Sequence, residues 1–165
     1  MKYRVGIITL SDKGSAGLRT DESGPAIRRM LEEDGAYSVE KEVILSDDRE
    51  TLEKELIKMC DDDGLELILT TGGTGFSTRD NTPEATMAVA TRIAPGIAEY
   101  MRARSFEITP KAMLSRGVSV IRNSTLIINL PGSPKAVREN LGFILPALDH
   151  GLEILLGRSG ECGQK

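Results

Sequence analysis

At 165 residues, with 39% hydrophobic and 28% charged residues, the chain has the size and composition of one globular domain, expected to span 1–165 without linker or repeat. A net charge of −4 argues against a broad nucleic-acid surface, and no apolar run approaches the roughly 20 residues of a membrane span. Cys60, in a helical pattern, and Cys162, near the end, suggest neither a disulfide framework nor a metal site, so a reducing cytoplasm is expected.

Tyr3 to Leu10 (YRVGIITL) is β-branched and almost continuously apolar, as in a central strand covered on both faces of a parallel sheet. Ser11 and Asp12 begin the polar stretch at its carboxyl end, where open α/β sheets place ligands; they are candidate ligand contacts, and a solvated connection reads equally well. Ser23 is placed to cap a helix with Pro25 in its first turn, Ile27, Met30 and Leu31 on its core face and Gly35 at its end. Tyr37 to Leu45 reads as a second strand, and Leu52, Leu56, Met59 and Cys60 form the stripe of an amphipathic helix. Asp47 and Glu50 have a spacing close to a capping box, which by itself can account for that acid.

Leu67 to Ala85 (LILTTGGTGFSTRDNTPEA) reads as strand, glycine loop and helix start. Gly72, Gly73 and Gly75 can turn N–H groups toward an anion. No Lys-Ser or Lys-Thr follows them, and Thr78 stands where a dinucleotide fingerprint begun at Gly73 needs glycine, so neither familiar phosphate loop fits. Asp80 beside such a cradle repels an anion unless a cation such as Mg²⁺ lies between them. The plainer reading is a surface turn with an incidental acid.

Met87, Ala90 and Ile93 are expected to continue a helical face up to Pro95-Gly96, with a second short helix over Ile97 to Arg104. Gly117 to Ile121 and Thr125 to Leu130, separated by Arg122-Asn123-Ser124, predict a hairpin and hence an antiparallel edge on a mixed sheet. Leu130 to Lys135 opens a further helix with Ser133 as N-cap and Pro134 first, a second anion cradle to which Lys135 adds a full charge. Val137, Leu141, Ile144, Leu145 and Leu148 make its packed face, and Pro146 is expected to kink or split it. His150, the only histidine, has no partner placed by motif and reads as structural or surface; Ser159 to Lys165 read as a frayed end.

Taken together, TTGGTGFSTRDNTPEAT at Thr70 to Thr86, MLSRG at Met113 to Gly117 and LIINLPGSPKAV at Leu126 to Val137 resemble the molybdopterin adenylyltransferase family of molybdenum-cofactor biosynthesis, of the MoaB/Mog type. The resemblance runs from the first strand to about Leu156 and implies a three-layer αβα sandwich, mostly parallel with an antiparallel edge hairpin. It also implies Mg²⁺-dependent transfer of AMP from ATP to molybdopterin, giving adenylyl-molybdopterin and pyrophosphate. By motif, Asp47 and Asp80 match the family's two essential acids. Gly72, Gly73, Thr74, Gly75, Ser115, Pro131, Gly132, Ser133 and Lys135 match its pterin- and phosphate-binding loops, and Ser11 and Asp12 the loop that meets the nucleotide. Asn81 stands where the family more often has valine. A trimer or hexamer is implied, with the molybdenum-insertion protein as a candidate partner.

An attacking phosphate is already ionised near neutral pH and has little need of a general base, so Asp80, with Asp47, is expected to hold Mg²⁺. Two other readings stay open on sequence: a non-catalytic molybdopterin carrier of the same fold, and a nucleotide hydrolase sharing the glycine loop.

Overall fold

Alternating side chains on the central strands feed two separate cores, one on each face of a single sheet. The computed structural model, which describes residues 1–158 and Gly160, runs in the order β1 (Tyr3–Leu10), α1 (Asp12–Ser15), α2 (Ser23–Asp34), β2 (Tyr37–Leu45) and α3 (Arg49–Ile57) with a π-turn (Lys58–Asp62). There follow β3 (Leu67–Thr71), α4 (Thr82–Val89), β4 (Arg92–Ile93), α5 (Pro95–Phe106), a 3-10 helix (Pro110–Leu114), β5 (Ser119–Arg122), β6 (Thr125–Leu130) and α6 (Pro134–Leu155). The expected frayed end, Gly160 apart, lies outside the described residues.

The strand order is β2-β1-β3-β6-β5-β4, with the first four strands parallel and β5 and β4 added antiparallel, the mixed sheet that the sequence predicts. Val5 and Ile7 of β1, Leu67 and Leu69 of β3 and Ile128 of β6 pack on one face against Ile27 and Leu31 of α2, Met101 of α5, and Val137, Leu141 and Leu148 of α6. Ile8, Leu10, Ile68 and Ile127 pack on the other against Leu52 and Leu56 of α3, Met59 and Cys60 of its π-turn, and Ala85 and Val89 of α4. Helices on both faces remove any need for a polar side, which is why the central strands read as continuous apolar runs. Truncating a fully buried member such as Ile7 or Leu69 to alanine costs about 2–5 kcal/mol.

Local departures from expectation each have a tertiary cause. Asp48, not Asp47, caps α3: its Oδ2 accepts from the Thr51 N–H at 2.9 Å and hydroxyl at 2.6 Å, which leaves Asp47 free to turn toward β1. Ser23 is the first residue of α2 rather than its cap. Asp21 Oδ1 accepts from the N–H groups of Ser23 and Gly24, and the Ser23 hydroxyl donates instead to the Gly132 carbonyl at 2.7 Å.

The face expected over Met87, Ala90 and Ile93 does not form: α4 ends at Val89, Met87 is exposed, and Ile93 pairs with Val120 in β4. Thr91 and Ala94 N–H groups bond to carbonyls of β5, so pairing at the sheet edge replaces a further helical turn. β5 begins at Ser119 rather than Gly117, and left-handed Asn123 (φ 52°) closes the hairpin. Pro146 does not split α6, because Pro146 and Gly142, whose carbonyl it deprives of a donor, both face water. His150 is exposed. Among the described residues no helix is long and apolar enough to cross a membrane.

Candidate active site

Four parallel strands end along one edge of the sheet, so the segments that follow β1, β2, β3 and β6 converge there. Gly72 and Gly73 are both left-handed (φ 95° and 69°). They bring the chain so close to its neighbours that a side chain at Gly72 would collide with the Leu10 carbonyl, and one at Gly73 with the Thr82 hydroxyl. Thr82 fastens this turn: its hydroxyl donates to the Gly72 carbonyl at 2.9 Å and its N–H to that of Gly73 at 3.2 Å.

Two carboxylates overhang the loop. A Cβ on Gly73 would stand 3.3 Å from Asp47 Oδ1, and one on Gly75 would stand 3.0 Å from Asp80 Oδ2. Asp80 Oδ2 accepts from the Ser77 N–H at 3.0 Å, which closes the short turn from Ser77 to Asp80. Burial pushes the Asp47 carboxyl above its ordinary range, and the charges of Asp12 and Asp80 add to this, against the hydrogen bond from the Asp12 N–H and the charge of Arg79. Asp12 is shifted the other way, because Arg79 grips it with two hydrogen bonds, at 3.0 and 2.7 Å. The Ser11 hydroxyl accepts from the Gly14 N–H as the cap of α1.

Two cavities flank this edge, their linings adjoining along the chain at Pro131 and Gly132, and Gly132 approaches Gly72 so closely that a Cβ on Gly132 would lie 3.5 Å from the Gly72 Cα. The first, about 310 Å³, has an apolar wall of Ala98, Met101, Ala112, Leu114 and Pro131, with Thr74, Ser115, Asn129 and Asn140 as polar points. The second, about 380 Å³, is lined by polar groups that include Thr9, Ser11, Arg19, Asp21 and Thr71. Among the residues that the sequence singles out, Thr74, Gly75, Ser115 and Pro131 border the first cavity, and Ser11, Gly72, Gly132 and Ser133 the second. Asp47 and Asp80 overhang Gly73 and Gly75 of the loop that runs between the two walls, and are not themselves among the residues that line either cavity. Ser133 caps α6 as expected, its hydroxyl accepting from the Ala136 N–H at 3.2 Å. Lys135 stands apart from both walls, with its side chain 80% exposed and directed toward Glu139.

Arg116, inside the MLSRG segment, braces the candidate site although its spacing from the loop gives no sign of it. Its N–H donates to the Thr74 carbonyl at 2.9 Å, Nε to that of Gly75 at 2.8 Å and Nη2 to that of Asp80 at 2.7 Å, while Nη1 pairs with Glu84. One side chain thus ties both stems of the acid-bearing loop. Asn81 also serves this loop: its Nδ2 donates to the Arg79 carbonyl at 3.2 Å.

Among the described residues, no three His, Cys, Asp or Glu side chains form a ready-made metal cage. The oxygen donors of Asp47 and Asp80 do fit Mg²⁺, which binds through one or two carboxylates and completes its shell with water and substrate phosphate. The charge of Asp80 weighs on Asp47, and such an ion would relieve it.

A doubly covered, mostly parallel sheet with a glycine turn, two acids and two cavities at its carboxyl edge defines an α/β protein of the class that places ligands at the carboxyl ends of its strands. The profile of the family described as "Probable molybdopterin binding domain" matches residues 6–150, and the chain belongs to that family. It is 43% identical to the molybdopterin adenylyltransferase of Helicobacter pylori J99 over 162 residues, 98% of this chain and 92% of that one. It is 42% identical to the Escherichia coli K12 protein of the same name over 139 residues, 84% of this chain and 71% of that one. The crystal structure of the molybdopterin biosynthesis enzyme MoaB from Thermus thermophilus superimposes with a TM-score of 0.89 at 48% identity, covering 94% of this chain and 97% of that one.

Proposed function

We propose that this chain is a molybdopterin adenylyltransferase that joins AMP from ATP to molybdopterin and releases pyrophosphate. The observation that carries this reading is the convergence of Asp47 and Asp80 on one glycine loop whose Gly72 borders one cavity and whose Thr74 and Gly75 border another. The apolar cavity with scattered polar points suits a flat heterocycle such as the pterin, and the polar one suits a nucleotide. Their ligands' phosphates then meet at the loop. A terminal phosphate oxygen of molybdopterin attacks the α-phosphorus of ATP, a P–O–P bond forms, and the bond to the departing pyrophosphate breaks.

The chain's contribution is orientation and charge. The N–H groups of Gly73, Thr74 and Gly75 in the glycine turn and of Lys135 in the first turn of α6 have no hydrogen-bond acceptor among the described residues and are left for the phosphates. The Gly72 N–H donates to the Leu130 carbonyl, and the Ala136 N–H to the Ser133 hydroxyl that caps the helix. Asp47 and Asp80 are the residues that would hold Mg²⁺, which when bound neutralises charge on the reacting phosphates. Two cavities bordered by one acid-bearing loop favour turnover over simple carriage, since a carrier of one pterin has no use for the second cavity.

The working form in this reading is a homo-oligomer, supported by the exposed apolar side chains Tyr100, Phe106, Ile108 and Met113 on and after α5. Ultracentrifugation separates trimer from hexamer. Buried Cys60, its thiol pushed up to about 11 by burial, fits work in a reducing cytoplasm, where the product would pass to a molybdenum-insertion protein. The test of the function is pyrophosphate release with each substrate omitted in turn. Release that requires both ATP and molybdopterin is expected. Release from ATP alone would mark a hydrolase, and none at all a carrier.

A further inference from the structure

Arg79 lies on the acid-bearing loop, one residue before Asp80, and its guanidinium crosses to the segment after β1. Nε donates to Asp12 Oδ2 at 3.0 Å and Nη2 to Asp12 Oδ1 at 2.7 Å, a two-pronged grip between residues 67 apart in the chain. Both side chains are open to water, Arg79 at 56% and Asp12 at 44% exposure, so the pair adds little to the stability of the fold. The backbone beneath it is nevertheless held, by Asn81 at the Arg79 carbonyl and by Arg116 at the Asp80 carbonyl. An exposed cationic fork therefore stands on a fixed base.

Its surroundings are acidic. Asp12, Asp47 and Asp48 all lie within range of the Arg79 charge, at the edge of the cleft where the phosphates are expected. A guanidinium fork fits a phosphate as well as it fits a carboxylate. Asp12 does not need Arg79 to stay in place, because its Oδ1 also accepts from the Asp47 N–H at 2.9 Å. Losing the guanidinium would return an exposed carboxylate to water.

We propose that Arg79 is a polyphosphate-binding residue kept in reserve: Asp12 holds its guanidinium at the rim of the cleft, and an entering triphosphate takes the fork from the carboxylate. This rests on the reading that the cleft binds ATP.

Calorimetric titration with ATP and Mg²⁺, and separately with adenosine, tests it on the full chain without molybdopterin. Arg79→Ala is expected to weaken ATP binding about tenfold or more and to leave adenosine binding unchanged. Asp12→Asn keeps an amide oxygen for the Asp47 N–H but puts an NH₂ against the guanidinium, so it releases Arg79 and should tighten ATP severalfold. In the Arg79→Ala background that tightening should vanish.

Wild-type ATP affinity in Arg79→Ala overturns the proposal, as does equal weakening for ATP and adenosine, which would mark a structural role. The same tightening by Asp12→Asn in both backgrounds overturns it too, since only general charge repulsion would then be at work. A wild-type chain that binds no ATP would instead defeat the transferase reading, and this proposal with it.

Discussion

Asp12 and Asp47 brace each other: the Asp12 N–H donates to Asp47 Oδ2 at 3.0 Å, and the Asp47 N–H returns the bond to Asp12 Oδ1 at 2.9 Å. This reciprocal pair locks the segment after β1 to the segment after β2 and keeps the half-buried Asp47 carboxyl at the glycine turn. Burial and two neighbouring acids raise the Asp47 pKa above its ordinary 3.8. For an acid so shifted, folding favours the protonated form. Its contribution to stability is complete below the unfolded value and is lost as pH rises through the folded one. Asp47→Asn, whose amide oxygen can still accept from Asp12, should therefore melt at or above wild type at pH 7, with the difference shrinking below about pH 4. Its transferase activity should be lost. Thermal melts across pH, paired with activity, check both halves.

Gly73→Ala should abolish activity and cost about 2–4 kcal/mol, from left-handed strain together with collision against the Thr82 hydroxyl. Gly75→Ala is the informative contrast. The Gly75 backbone is not left-handed, and its new methyl would crowd only Asp80 Oδ2 at 3.0 Å. That variant should show a urea midpoint close to wild type and still lose much of its rate. Urea titration alongside turnover separates the two.

Arg116 acts on the reaction through Asp80 and Gly75, as a positioning residue. A lysine ammonium cannot reproduce a fork that reaches the Gly75 and Asp80 carbonyls and Glu84 together. Arg116→Lys should lower kcat about tenfold and Arg116→Ala about a hundredfold, with KM for ATP changed far less. An equal change in both parameters would point to a collapsed binding site instead.

Pro146 interrupts the hydrogen bonding of α6 without bending it out of a single element. Because the position is exposed, Pro146→Ala restores a donor to the Gly142 carbonyl and introduces no clash. A gain of about 1–3 kcal/mol in denaturant titration is expected, with activity unchanged.

The parts of the fold that were legible in sequence are those whose signal is local. β2 falls on Tyr37–Leu45 as expected, and the apolar runs of β1, β3 and β6 announce strands buried on both faces. Ser133-Pro134 announces the start of α6 with equal clarity. What was hidden depends on partners distant in the chain. β4 is two exposed residues that become a strand only because β5 lies beside them. Asp47 and Asp48 are equivalent as local caps, and the contact with Asp12 assigns them different work. The grips of Arg116 on Asp80 and of Arg79 on Asp12 span 36 and 67 residues, beyond the reach of any spacing rule. Lys135 was legible as a charge at a helix start, but the direction of its side chain, toward Glu139 and water, was not.

The central claim is that carboxylates overhanging the glycine loop carry the adenylyl transfer. Its most direct test is single-turnover adenylylation of molybdopterin by wild type and Asp80→Asn at limiting Mg²⁺. Wild type should convert one molybdopterin to its AMP adduct per pyrophosphate released, and Asp80→Asn should be slower by about a hundredfold or more while still binding molybdopterin. Wild-type rates from Asp80→Asn at limiting Mg²⁺ would contradict the account.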